Sequence, residues 1–283
     1  MNHLFVDNLT VIDFAYLDPT RGLVGESWIA DIILGGELDE QGMVFDFSNV
    51  KRTIKQVIDE RVDHRLVIPR GYAGLSWDED TPDMFRWALK DGSEIVHRSP
   101  DEAIVWLSAE RVVPSAVAAL LETELKAVLP ANVISVEMNL REEVIEGAYY
   151  HYVHGLKKHL GNCQRIAHGH RSPIRIDRNG LRDEALEQRW AKRWEDIYVG
   201  TEEDVVRRHV DDHGVGYVTF EYEANQGEFE LTLPEARVYM LETDTTVELI
   251  AAHIADELKR EFPTDSIRVK AFEGVGKGAI AAR

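Results

Sequence analysis

Cysteine is almost absent from this 283-residue chain: Cys163 is the only one, so no intramolecular disulfide can form. A lone thiol fits a reducing compartment and is free for chemistry. Long apolar runs are missing too, with nothing approaching the ~20 residues of a membrane span. The N-terminus lacks a basic region followed by an apolar block, so neither export nor anchoring is expected and the cytoplasm is the expected location. Cations are in deficit, 32 Lys and Arg against 51 Asp and Glu, and a net charge of −19 argues against nucleic acid as a general partner. What is present is an apolar fraction of 44%, ample for a packed core, in a length that suits two domains.

Histidine is unevenly spread. Five of the eleven lie between Tyr150 and Ile176, together with Cys163 and the cations Lys157, Lys158, Arg165, Arg171 and Arg175. His168 and His170 have the spacing H-x-H ahead of the extended segment Ser172–Ile176. On a β-strand, residues two apart share a face, so both imidazoles would project together. His154, on a neighbouring strand, would supply a third ligand and leave a fourth position open, as in a catalytic zinc site. Imidazoles also cap strands or satisfy buried carbonyls, and H-x-H alone is a short motif. The cations either form a positive pocket for a small anionic substrate or are solvated surface charges.

Along the chain, Leu4–Leu17 and Trp28–Leu34 read as strands about the turn Asp18-Pro19-Thr20-Arg21-Gly22. Met43–Phe47 reads as a short extended piece, and Ser48 as the N-cap of a helix to about Val62 with Val50, Ile54, Val57 and Ile58 on one face. Met84–Leu89 and Glu94–His97 form a hairpin, and Pro114 opens a helix striped by Val117, Leu120, Leu121, Leu125 and Val128. Val133–Met138 follows as a strand. The same order then recurs. Tyr149–Leu156 and Ser172–Ile176 read as strands, and Leu186, Trp190, Trp194 and Ile197 stripe a helix. Tyr217–Tyr222 and Glu228–Leu233 form a hairpin after a polar loop, Arg207–Gly216, which holds the pair Asp212-His213. Thr245-Thr246-Val247-Glu248 has capping-box form, opening a helix with Ile250, Ile254 and Leu258 inside, and Ile267–Phe272 closes the series. Placing Pro130 on Pro263 aligns Ile134 with Ile267 and Val136 with Val269. The expectation is a tandem duplication, residues 1–142 and 143–283.

On these residues the chain resembles the tunnelling-fold enzymes of the 6-pyruvoyltetrahydropterin and 6-carboxytetrahydropterin synthase family. Its second half supplies Tyr150-His151-Tyr152-Val153-His154-Gly155-Leu156, Cys163, His168-Gly169-His170 and Glu273; its first supplies Gly42-Met43-Val44-Phe45-Asp46-Phe47 and Asp63-His64. Cys163 stands one residue further from H-G-H than in that pattern, and Asp63-His64 lacks the asparagine that usually follows. Where the second half has His154, His168 and His170, the first has Ala15, Val24 and Glu26; where the first has Asp63-His64, the second has Asp196-Ile197; and Leu140 falls opposite Glu273.

The resemblance implies an α+β fold of two tandem tunnelling-fold domains. Each would be an antiparallel sheet with two helices on one face, and the chain a homo-oligomer closing a β-barrel. It implies one composite site per chain, with the first repeat lacking metal ligands. Zinc would sit on His154, His168 and His170, Cys163 would be the general base, and Asp63 with His64 would shuttle protons. Glu273 would grip the pterin edge and Arg165 and Lys157 would help bind substrate. The activity implied is a lyase acting on 7,8-dihydroneopterin triphosphate. The carboxy-forming reaction of queuosine-type deazapurine synthesis is preferred over the pyruvoyl-forming one, with a non-catalytic pterin- or purine-binding protein as the other reading. Cys163 as a small buried hydrophobe and His64 as a solvated helix end remain open, and the glycine-rich stretch Gly274–Gly278 is a further candidate for ligand approach.

Overall fold

A computed structural model describes every residue except 78–80 and 82. Its first half runs β1 (Asn2–Asp18), β2 (Gly22–Gly36), α1 (Phe47–Arg61), β3 (Leu66–Pro69), β4 (Leu75–Trp77), β5 (Met84–Ala88), β6 (Glu94–Arg98), β7 (Ile104–Leu107), α2 (Pro114–Val128) and β8 (Val133–Glu142). The second runs β9 (Tyr149–His154), β10 (His168–Arg178), β11 (Leu181–Arg182), α3 (Glu184–Arg193), β12 (Ile197–Thr201), β13 (Val205–Val210), β14 (Gly216–Ala224), β15 (Gly227–Pro234), β16 (Val238–Leu241), α4 (Val247–Glu261), β17 (Ile267–Phe272) and β18 (Gly278–Ala282). The class is α+β.

The described residues form three sheets. One has the order β7-β3-β1-β2-β8, a second β16-β12-β9-β10-β17-β18 with β11 beside β10, and a third β13-β14-β15-β6-β5-β4. The first two share a plan: an antiparallel centre with two short parallel strands added at one edge. The third draws strands from both halves of the sequence, joined where β6 pairs with β15.

Each of the first two sheets carries a pair of helices. Val50, Ile54 and Ile58 of α1 and Val117, Leu121 and Leu125 of α2 pack on Ile12, Phe14, Trp28 and Ile32. Trp190 of α3 and Ile250, Ile254 and Leu258 of α4 pack on Tyr150, Tyr152, Ile174 and Val269. Burying each such aliphatic side chain contributes about 1.5–3 kcal/mol. A third core, with Leu17, Leu23, Val153, Ile166, Phe220 and Leu231, lies between the two long hairpins and the third sheet.

Several expectations need correction. Asp46, not Ser48, caps α1: its carboxylate accepts from the Ser48 and Asn49 amides, and the chain bends through Met43–Asp46 instead of forming a strand, with Phe47 opening the helix. Val128 is 54% exposed, and Leu120 is only partly buried. α3 ends at Arg193, capped by Trp194, so Ile197 opens β12. The Arg207–Gly216 loop contains most of β13, which pairs with β14; Asp212-His213 stays in the turn that follows. β10 begins at His168, four residues before Ser172, and β18 follows the glycine-rich stretch. Thr246 rather than Thr245 caps α4, and Thr245 is used elsewhere.

The pairing also corrects the alignment of the halves. Tyr16 pairs with Val24 as His154 pairs with His168, so Tyr16, not Ala15, is the counterpart of His154. His64 and Asp196 both take left-handed backbone, φ 55° and 53°, making Asp196 the counterpart of His64. Trp28 pairs with Glu142, and continuing the β10–β17 register sets Ser172 against Glu273, so Glu142 rather than Leu140 corresponds to Glu273.

Candidate functional site

Because β9 and β10 run antiparallel with His154 opposite His168 and Tyr152 opposite His170, the three imidazoles converge. All three are buried, and one ring nitrogen of each lies within 4.8 Å of the others. The Nδ1 atoms face outward. His154 Nδ1 donates to the Thr245 carbonyl at 2.9 Å and His168 Nδ1 to the Arg165 carbonyl at 3.0 Å. His170 Nδ1 faces Asp13 Oδ1 at 3.3 Å. A carbonyl oxygen only accepts, so the neutral rings of His154 and His168 carry the proton on Nδ1 and present an Nε2 lone pair, whereas His170 Nδ1 faces Asp13 without completing a hydrogen bond.

His154 Nε2 and His170 Nε2 are 3.3 Å apart, and the buried His168 Nε2 has no hydrogen-bond partner. Lone pairs aimed at one another in a dry interior are unfavourable unless a cation lies among them. Burial, reinforced by neighbouring histidines, pushes His154 and His168 well below the usual imidazole range and keeps them neutral. Three imidazoles whose ring nitrogens converge, with outward hydrogen-bond partners on His154 and His168, are a donor set that fits zinc.

Asp63 and His64 arrive from the other half, at the end of α1. The His64 amide donates to the Asp13 carbonyl at 2.7 Å, and Asp63 Oδ1 accepts from the Asp13 amide at 2.9 Å, which ties this corner to β1. His64 Nδ1 lies 2.5 Å from Asp63 Oδ2, and the ring stands 5.3 Å from that of His168. Burial would lower the His64 pKa, but its hydrogen bonds to Asp63 and Cys163 outweigh it and raise it to about 10. Cys163 sits on a 3-10 turn, Asn162–Gln164, and ligand atoms of Cys163, His64 and His168 lie within 4.8 Å of one another.

Glu273 Oε1 stands 4.0 Å from His170 Nε2. Arg165 Nη1 donates to the His64 carbonyl at 3.3 Å and its Nε to Gln226 at 2.9 Å. The structure therefore gathers His154, His168, His170, Cys163, Asp63, His64, Glu273 and Arg165 around one point within one chain.

Lys157 is held otherwise: its Nζ is 2.5 Å from Asp204 and 3.2 Å from Glu203. Lys158 pairs with Asp244, Arg171 lies over Tyr149 beside Glu142, and Arg175 pairs with Glu187. Each of these four cations of the expected pocket has a local acidic partner, and of the five only Arg165 touches the Asp63–His64 corner. Sequence reasoning missed Asp13, Ser27, Thr245 and Lys277. The one available signal was an acid, Asp13, inside the apolar run Val11-Ile12-Asp13-Phe14-Ala15.

The equivalent position in the other half is built differently. Tyr16, Val24 and Glu26 replace the histidines, and Arg21 donates to Tyr16 Oη at 2.8 Å and to both Asp196 oxygens at 2.9 and 2.6 Å. An internal ion pair stands where the other half gathers imidazoles.

Known proteins show partial similarity to this chain. Residues 12–81 match the family model described as 6-pyruvoyl tetrahydropterin synthase. Proteins of Pyrococcus horikoshii and Methanocaldococcus jannaschii that carry the name 6-carboxy-5,6,7,8-tetrahydropterin synthase are similar to this chain. The first is 22% identical over 99 residues, covering 35% of this chain and 55% of that protein. The second is 27% identical over 139 residues, covering 47% and 82%. The chain thus spans about half the length of the Pyrococcus relative. A crystal structure of 6-pyruvoyl tetrahydropterin synthase from Plasmodium vivax aligns at 20% identity with a TM-score of 0.43, covering 51% of this chain and 93% of that one.

Proposed function

We propose, from the premise that this chain is a tandem relative of the 6-pyruvoyl and 6-carboxy tetrahydropterin synthases, that it is a zinc-dependent lyase acting on 7,8-dihydroneopterin triphosphate. The carboxy-forming reaction, on the route to queuosine-type deazapurines, is preferred because both curated relatives carry that name. The observation that carries the reading is the meeting, in one chain, of Asp63 and His64 with Cys163 and the three histidines.

His154, His168 and His170 would hold the zinc, which when bound supplies a Lewis acid for the oxygens of the substrate side chain. The residues of the chain do the rest. Cys163 takes a proton from the side-chain carbon. His64, kept protonated by Asp63, holds the proton that is returned. Glu273 accepts the paired N–H groups of the aminopyrimidine edge, and Arg165, held beside His64, helps bind the substrate. The two halves form the unit that does this, residues 1–142 giving the acid–base pair and 143–283 the metal ligands. The working form is a homo-oligomer.

The test is to incubate the purified chain with dihydroneopterin triphosphate and follow release of triphosphate, with His168→Ala and Cys163→Ala alongside. Turnover by the wild type that both variants lose supports the reading. Zinc-loaded wild type without turnover would sink it and leave a binding protein.

A further inference from the structure

Asp13 belongs to β1, yet its carboxylate serves the other half. Oδ1 lies 3.3 Å from His170 Nδ1 and accepts the Ser27 hydroxyl at 2.5 Å; Oδ2 lies 3.1 Å from Lys277 Nζ. Its backbone binds Asp63 through N–H and His64 through C=O. The turn after β17 closes over it. Gly274 takes φ +72°, and a Cβ there would strike the Asp13 carboxylate, while the Glu273 amide donates to the Lys277 carbonyl at 3.0 Å. One buried side chain thus touches a histidine of the triad, the turn that carries Glu273 and, through its own backbone, the acid–base pair.

The other two histidines orient their Nδ1 atoms on backbone carbonyls, so His170 alone faces a full negative charge. The equivalent positions hold acid and base exchanged: His151 stands at the position of Asp13 and Glu26 at that of His170, but there His151 Nδ1 donates to the Gly25 carbonyl at 2.7 Å and lies 3.9 Å from Glu26 Oε2.

We propose that Asp13 is a positioning residue for the metal. It fixes the tautomer and rotation of His170 from across the boundary between the halves, so that metal affinity depends on a residue of the half that supplies no ligand. This rests on the reading of His154, His168 and His170 as metal ligands. A charged partner strengthens a ligating imidazole as a donor, and removing such a partner typically costs about 10–100-fold in metal affinity.

The experiment uses the full chain, stripped of metal, and needs no turnover. Zinc affinity is measured by competition with a chromogenic chelator, and the visible spectrum of the cobalt(II)-loaded protein reports ligand geometry. Asp13→Asn is expected to bind zinc about 10–100-fold more weakly and to shift the cobalt bands. Ser27→Ala, which keeps the carboxylate but frees one of its oxygens, is expected to weaken zinc several-fold and covers the case in which Asp13→Asn fails to fold. Wild-type binding with Asp13→Asn within twofold of it and an unchanged cobalt spectrum would overturn the assignment of Asp13 while leaving the metal reading intact; where Asp13→Asn does not fold, the same indifference in Ser27→Ala would do so. Failure of the wild type to bind either ion would remove the metal reading itself.

Discussion

Gly25 of β2 and Gly169 of β10 meet where the two long hairpins cross: a Cβ on Gly169 would lie 2.6 Å from Gly25 Cα and 2.5 Å from the Tyr152 carbonyl oxygen. The two glycines hold the same place in their hairpins, each following the residue paired with Tyr16 or His154. Close approach of backbone to backbone is therefore what brings Asp13 and Asp63-His64 up to the histidines. A Cβ on Gly25 would land on the Tyr152 carbonyl and 2.6 Å from His170 N. Gly25→Ala is expected to lower stability by about 3 kcal/mol or more and to loosen metal binding with it. Denaturant unfolding with metal analysis checks this, and a wild-type midpoint and metal content would contradict the crossing.

The proposed function puts the metal on one half and proton handling on the other. His64→Gln and Asp63→Asn should keep full zinc content while turnover of dihydroneopterin triphosphate falls by about 10²–10⁴-fold, the range for loss of a positioned acid or base. Metal analysis and turnover on the same sample decide it. Loss of zinc in these variants would mean that His64 is a ligand.

Burial raises the Glu26 carboxyl to about 8 from an ordinary 4.5. The folded chain then binds a proton that the unfolded chain has released between those values, so this group's stabilisation is complete below 4.5 and is lost as pH rises through about 8. Glu26→Gln should flatten that part of the stability profile, gaining on the wild type by an amount on the order of a few kcal/mol at pH 9. Denaturant midpoints at pH 5, 7 and 9 provide the check.

His97 behaves in the opposite sense. Burial between Phe85 and Ser99 pushes it down to about 3 from 6.5, so it stays neutral when folded. The unfolded chain binds the extra proton between those values, and the contribution is complete above 6.5 and lost as pH falls towards 3. His97→Gln should therefore lose less stability than the wild type between pH 7 and pH 4.5, read from the two denaturation curves.

Much of this was legible in the chain. The H-x-H strand, the helix faces and the repetition of elements depend on local periodicity, which survives in sequence. The exact equivalence of the halves did not, because the turn joining β1 to β2 is short and the connection from β9 to β10 runs from Gly155 to Ala167 with Cys163 inside it. Alignment by motif slipped there by one residue, and alignment by proline slipped by two at Glu142. The parallel edge strands were too short to carry a pattern of their own. Lys157 read as a substrate group because its partner Asp204 lies 47 residues away, and Asp13 could not be read as a partner of His170 until the hairpins were seen to cross.

In the proposed function one metal position per chain lies on His154, His168 and His170, facing Asp63 and His64 of the same chain. Anomalous diffraction at the zinc edge from crystals of the zinc-loaded protein tests it most directly. One peak per chain is expected at about 2.0–2.1 Å from the Nε2 atoms of the three histidines. No peak there, or one ligated by His64 and Cys163 instead, would contradict it.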